Sequence, residues 1–179
     1  SPHGIDLNQR SDGRYQLAVV NHMPRETIEM FELINLHNSW SLVWRGCVNA
    51  PELGYFNDVA LKGDGSFFTT HMYERGLSLL SLLYISFTKP DTGFVYQWDA
   101  VDGFTKVPNS DGSFPNGISI SDDEEDLFIN YVFNHRTSKL NLENLNIEAE
   151  HFSKGTPDNS SIDGDYIWVA TQDNTGTDL

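Results

Sequence analysis

Apolar residues along this chain recur in short alternating runs, which is the pattern of half-buried β-strands. The alternation predicts strands over 15–20, 27–33, 92–98, 127–132 and 166–170, all rich in β-branched or aromatic residues. Only the stretch 72–83 permits a short helix. The pattern therefore predicts an all-β fold.

Four segments share one design: a polar start, a short apolar strand, a tight turn and a second strand. They begin near residues 3, 57, 116 and 159, and two of the turns are Asp12-Gly13 and Asp64-Gly65. Asp-Gly turns supply the positive φ that tight antiparallel connections need. A repeat of roughly 45–60 residues suits one propeller blade of four strands. An immunoglobulin-like sandwich is the alternative, but it would not repeat its polar strand starts.

The polar starts form one column when the four segments are aligned on their first strands. The column contains His3, Asn57, Asn116 and Asn159, with Asp158 beside the last. Innermost strands of a propeller run along the central channel, so we expect these side chains to converge there. Amide and carboxylate oxygens are ligands for a hard cation such as calcium, whereas zinc is disfavoured without a cysteine cluster or close histidine pair. The alternative is that each asparagine only caps its own turn.

Composition narrows the function classes. Eleven Lys and Arg against 26 Asp and Glu give a formal charge of −15, which argues against nucleic acid and is compatible with cation binding. No run approaches the roughly 18 apolar residues of a membrane-spanning helix. Cys47, the single cysteine, is interpreted as a packed apolar residue rather than a nucleophile.

Five short motifs, in this order, resemble those of the paraoxonase/arylesterase lactonases, within the wider gluconolactonase and regucalcin-like superfamily. They are Pro-His-Gly-Ile at 2–5, Val-Val-Asn-His at 19–22, Phe-Asn-Asp-Val at 56–59, Asn-Gly-Ile-Ser-Ile-Ser at 116–121 and Asp-Asn-Ser-Ser-Ile-Asp at 158–163. The spacing of the two histidines in the first two motifs also looks family-like. The resemblance covers nearly the whole chain in patches.

The resemblance implies a six-bladed β-propeller, of which residues 1–179 supply about half, or three blades, as a domain truncated at its start and its end. It implies two calcium ions in the channel and calcium-dependent hydrolysis of lactones, with aryl esters as a side activity. The catalytic ion would be bound by Asn57, Asn116, Asp158 and Asn159. The structural ion would face Asp58 and the carbonyl of Ile5. His3 and His22 would form a dyad that activates the attacking water, with His3 nearer the substrate.

One motif departs from the paraoxonases, since 69–73 reads Thr-Thr-His-Met-Tyr where those enzymes carry an acidic residue implicated in catalysis. This form looks more like the microbial members of the superfamily. The alternative function is a non-catalytic, calcium-stabilised propeller that binds a ligand or a protein. The expected partners are a small lactone or ester substrate and further copies that associate through open blade edges. No signal peptide is visible, so the compartment stays open.

Overall fold

The computed structural model describes residues 1–172 and contains fourteen strands and one helix. The strands are β1 (Pro2–Gln9), β2 (Tyr15–Asn21), β3 (Thr27–Leu36), β4 (Ser39–Asn49), β5 (Phe56–Leu61), β6 (Phe67–His71), β7 (Phe94–Asp99), β8 (Gly103–Lys106), β9 (Pro115–Ile120), β10 (Asp126–Tyr131), β11 (Arg136–Asn141), β12 (Ile147–Phe152), β13 (Thr156–Asp163) and β14 (Tyr166–Gln172). The helix α1 is Leu79–Thr88. All five strand predictions fall on observed strands.

The strands form four antiparallel sheets in chain order: β1–β4, β5–β8, β9–β12 and the pair β13–β14. Each sheet is a simple meander, and the first strands β1, β5, β9 and β13 contact one another in sequence. This arrangement confirms the predicted all-β propeller, with three complete four-stranded blades and two strands of a fourth. The total of six blades in a closed ring stays a prediction.

The apolar core lies between blades rather than within one sheet. One cluster, which includes Val20, Phe56 and Phe67, fills the space between the first two blades. A second, which includes Phe68, Ile129 and Tyr131, fills the space between the second and third blades. Burying each of these side chains contributes about 1.5–3 kcal/mol, so adjacent blades hold each other in place.

The predicted helix lies in the right connection but begins later than expected. It starts after Ser78, whose hydroxyl accepts a hydrogen bond from the Ser81 N–H at 3.1 Å, and it ends where Lys89 turns left-handed, at φ 51°. The prediction of 72–83 was therefore wrong in its bounds, because an N-capping serine sets the start of a helix. Within residues 1–172, no helix has the length and hydropathy needed to cross a bilayer.

Candidate functional site

Each innermost strand has a β-bulge at the same place near its beginning. Two consecutive residues there face a single residue of the second strand: His3 and Gly4 face Val20, Asn57 and Asp58 face Thr70, Asn116 and Gly117 face Asn130, and Asp158 and Asn159 face Ala170. Bulges bend a strand and re-aim its side chains. Six of the eight predicted site residues are therefore bulge residues of four successive blades, and Ile5 and His22 lie outside the bulges.

The register corrects one detail of the predicted column. Pro157 pairs with Thr171 just as Pro115 pairs with Tyr131, so the fourth bulge begins at Asp158. Asp158, and not Asn159, is the equivalent of His3, Asn57 and Asn116. Asn159 takes the second bulge position. The sequence alignment missed this because pairing with the neighbouring strand, which the sequence does not show, fixes where a bulge begins.

Hydrogen bonds link the bulges of neighbouring blades. The Thr70 hydroxyl accepts from the Asp58 N–H at 3.0 Å and donates to the carbonyl of Asn116 at 2.6 Å. One blade further on, the Asn130 Nδ2 donates to the carbonyl of Asp158 at 2.6 Å. The residue that faces one bulge thus binds the backbone of the next. This repeated contact holds the bulge residues of the second, third and fourth blades side by side.

Several oxygens in this row fit a hard cation. Asn57 is only 4 % exposed, and its Nδ2 contacts the sulfur of Met72 at 3.2 Å, so its amide nitrogen already has a partner. The Asn116 Oδ1 is buried and has no hydrogen-bond partner among residues 1–172, although a buried carbonyl oxygen normally has one. Among residues 1–172 no three His, Cys, Asp or Glu side chains are grouped as metal ligands. The donors are mostly amides, which suit calcium better than zinc.

Asp58 is also buried, at 6 % exposed. Its two oxygens accept hydrogen bonds from the Val59 N–H at 2.9 Å and from the Ile118 N–H of the next blade at 3.1 Å. Burial nevertheless raises the pKa of Asp58 to about 7, and the nearby carboxylates of Asp6 and Asp158 add to the rise. Burial also raises the pKa of Asp6. Such acids gain from a neighbouring cation, which would favour their charged forms.

Ile5 lies on β1, next to Asp6, and its side chain is 63 % exposed. It lines the same cavity of about 570 Å³ as His3, Asp58 and Asn159. This cavity is the open side of the central channel, and the innermost strands of all four blades contribute to it. Of the predicted metal-binding residues, Ile5, Asp58 and Asn159 line this cavity, whereas Asn57, Asn116 and Asp158 do not.

His3 and His22 lie beside the row of bulges and contact each other. Because Pro2 pairs with Asn21, the β1–β2 hairpin brings the two histidines together across nineteen residues of chain. The His3 Nδ1 is 2.8 Å from the His22 Nε2, and the rings are nearly perpendicular, at 86°. Burial lowers the pKa of His3, and the neighbouring His22 lowers it further, while Asp158 and Glu26 oppose the shift. A lowered pKa keeps His3 neutral, as a general base must be.

Sequence reasoning missed three residues around the histidines. The first is Glu26, whose carboxylate lies 3.0 Å from the His22 Nδ1; its spacing of four residues from His22 was the only signal. The second is Tyr55, whose ring lies 4.9 Å from that of His22. The third is His71, which is buried and accepts a hydrogen bond from the Tyr55 N–H at 3.2 Å. Burial lowers the pKa of His71.

Comparisons with known proteins agree with the fold and the motifs. The family model described as Arylesterase matches residues 1–176. Among solved structures, a luciferin-regenerating enzyme has a TM-score of 0.56 at 19 % identity and covers 95 % of this chain. A gluconolactonase from Xanthomonas campestris has a TM-score of 0.58 at 15 % identity and covers 92 %. A functionally unknown protein from Desulfotomaculum acetoxidans has a TM-score of 0.60 at 14 % identity and covers 96 %.

The chain spans about half the length of these structures, namely 55 %, 55 % and 49 % respectively. At such identities the structural likeness speaks for the fold alone. A search of curated proteins found no match.

Proposed function

The chain belongs to the arylesterase family, and we propose that the protein hydrolyses lactones, with aryl esters as a side activity, in a calcium-dependent reaction at the channel. The observation that carries the proposal is the contact between His3 and His22 beside the row of amide and carboxylate oxygens. A general base beside oxygens that would hold a cation is one arrangement that can hydrolyse a carbonyl compound. The family match and the gluconolactonase neighbour support the reaction class.

His3 would act as the base, because it is the exposed member of the pair and lines the channel cavity. Its lowered pKa leaves the ring free to take a proton from water at neutral pH. His22 lies behind it, half-buried, and would hold the His3 ring in place. General-base catalysis of this kind contributes about 10²–10⁴-fold to a rate.

Asn57, Asn116, Asp158 and Asn159 would hold the catalytic calcium, and Asp58 with the Ile5 carbonyl would hold a structural one. The support is the donor chemistry of the row and the buried Asn116 Oδ1, which has no partner in the described part of the chain. When bound, calcium polarises a substrate carbonyl and stabilises the oxyanion.

We also propose that residues 1–179 form part of a larger propeller, since they span about half of each matched structure. The activity is therefore assigned to the whole protein. Which lactone it prefers would depend on loops at the open end of the channel, including the segment around α1.

The test compares His3→Gln and His22→Gln with the unchanged protein on a panel of lactones and on phenyl acetate. We expect both substitutions to lower hydrolysis at least about 100-fold, while calorimetry still detects calcium binding. His151→Gln is the matched control, because His151 is an exposed residue of the outer strand β12. Full hydrolysis by His3→Gln would refute the dyad. Calcium binding without any hydrolysis in the unchanged protein would favour the binding module.

A further inference from the structure

The buried carboxylate of Glu26 contacts His22, the inner member of the histidine pair. Glu26 is 5 % exposed, and its oxygens lie 3.0 and 3.1 Å from the His22 Nδ1. Together with the contact between the rings, this makes a chain of three groups from the interior to the channel. We propose that Glu26 is a positioning residue that fixes the tautomers of both histidines and so presents the His3 Nε2 as the basic atom. The proposal rests on the function proposed above.

The first step of the argument concerns His22. An ionised carboxylate can only accept hydrogen bonds. The proton between Glu26 and His22 must therefore belong to the His22 Nδ1. A neutral imidazole carries one proton, so the His22 Nε2 is then left with a lone pair and can only accept.

The second step follows for His3. Its Nδ1 lies 2.8 Å from the His22 Nε2, and a lone pair there requires a donor. The His3 Nδ1 must therefore carry the proton of that ring, and the His3 Nε2 is the unprotonated atom. Since Nδ1 is engaged with His22, it is Nε2 that is available to a water in the channel. Glu26 thus determines, through His22, which ring nitrogen of His3 is the base.

The position of Glu26 is itself fixed from the next blade. Its Oε1 accepts a hydrogen bond from the Phe56 N–H at 2.8 Å, and Phe56 is fully buried at the start of β5. The carboxylate therefore has a backbone donor on one side and His22 on the other. Because the contact with Phe56 is buried and the one with His22 is partly buried, the acceptor cannot be replaced by solvent without cost.

A competing explanation is that Glu26 only ties two blades together. Glu124 provides the comparison, since its Oε1 accepts from the Gly63 N–H of the neighbouring blade and its Oε2 lies 3.6 Å from the Lys62 Nζ. This is also a carboxylate bound to a backbone N–H across a blade boundary, but without a histidine. Glu124→Gln is thus a control for this contact between blades, at a carboxylate whose side chain is 32 % exposed against 3 % for Glu26.

The experiment measures the protonation of the ring nitrogens directly, by NMR of the ¹⁵N-histidine-labelled chain at a pH where both rings are neutral. In the unchanged chain we expect Nδ1 to be protonated and Nε2 unprotonated in both His3 and His22. Glu26→Ala should shift both rings toward the Nε2–H form that free histidine prefers in water. Glu26→Gln keeps an acceptor for Phe56, so it should fold and should move the His22 Nδ1 proton resonance upfield, since a neutral oxygen is a weaker acceptor.

Hydrolysis is the second readout. We expect Glu26→Ala to lower kcat on the order of 100-fold with little change in calcium affinity, whereas Glu124→Gln should leave both tautomers and kcat unchanged. The proposal is overturned if the unchanged chain carries the proton on the His3 Nε2. It is also overturned if neither Glu26 variant alters the His22 signals. Because the spectra need no substrate, they would still report the tautomers of His3 and His22 if the protein proved not to be a hydrolase.

Discussion

We predict that removing the hydroxyl of Thr70 lowers the free energy of unfolding by more than the small size of this group indicates. Thr70 is fully buried, and its Oγ1 serves two backbone groups at once, the Asp58 N–H and the Asn116 carbonyl. Thr70→Val keeps the shape of the side chain but removes both bonds. Each buried backbone group left without a partner costs about 1–3 kcal/mol. Allowing for partial relaxation, we expect the free energy of unfolding to fall by about 2–4 kcal/mol.

The assay is equilibrium unfolding in urea, in calcium-free buffer, for the unchanged chain, Thr70→Val and Thr70→Ser. The serine keeps the hydroxyl and should lose only about 1 kcal/mol for the missing methyl group. Thr105→Val is the matched control, because Thr105 is exposed on the edge strand β8, and such changes stay within about 0.5 kcal/mol. An unchanged m-value would show that the transition midpoint reports stability alone.

Two results would contradict the reasoning. If Thr70→Val costs less than about 1 kcal/mol, the hydroxyl does not hold the two backbone groups. If Thr70→Ser costs as much as the valine, the methyl group and not the hydroxyl is what the site needs. Either result would mean that the bulges of the second and third blades are held together by apolar packing.

Three further predictions concern the channel wall. Asn116→Ala should remove one of the two calcium-binding events in calorimetry, that of the catalytic ion, while changing the calcium-free energy of unfolding by less than about 0.5 kcal/mol, because the Oδ1 that it removes has no hydrogen-bond partner among residues 1–172; two retained binding events would exclude Asn116 as a ligand. In chelator, the free energy of unfolding should fall as the pH rises from 3.8, the ordinary pKa of this carboxyl, to about 7, the pKa of Asp58 in the folded chain. The folded state holds this proton more tightly than the unfolded state does, so the decrease reaches up to about 4 kcal/mol in total. Asp58→Asn should remove this decline in pH-dependent thermal unfolding, and an unchanged slope would contradict the burial argument. Gly117→Ala should lose about 1–3 kcal/mol on urea unfolding, because its Cβ would meet the backbone of Asp158 and Asn159; a neutral effect would mean that the blades can separate.

The strands were predictable because their signals are local. Alternation and Asp-Gly turns depend on neighbours in sequence, and Gly13 and Gly65 indeed take positive φ of 85° and 90°. In the third blade the turn uses Glu124 at φ 59° instead of a glycine. The repeat was still found there, because the polar strand start at Asn116 marks it.

The features that the sequence could not show are those that depend on pairing between strands. The bulge register that places Asp158 in the first position depends on Pro157 facing Thr171. The contact of Glu26 with His22 depends on how the β2–β3 connection folds back toward Phe56 of another blade. His71 lies in the segment 69–73 that departs from the paraoxonase motif, but nothing in the sequence shows that its ring is buried.

The bulge also explains how neighbouring residues can serve one site. In a regular strand successive side chains point to opposite faces, so Asn57 and Asp58 could not both line the channel. A bulge lifts this restriction; both residues are buried, and Asp58 lines the channel cavity.

The second bulge position alternates along the blades between glycine and a larger residue: Gly4, Asp58, Gly117, Asn159. A Cβ on Gly4 would meet Asp58, and one on Gly117 would meet Asn159. Each glycine therefore makes room for the side-chain-bearing residue of the following blade. The blades approach each other closely at the channel because of this alternation. The row of candidate ligands therefore depends on the glycines as much as on the ligand residues themselves.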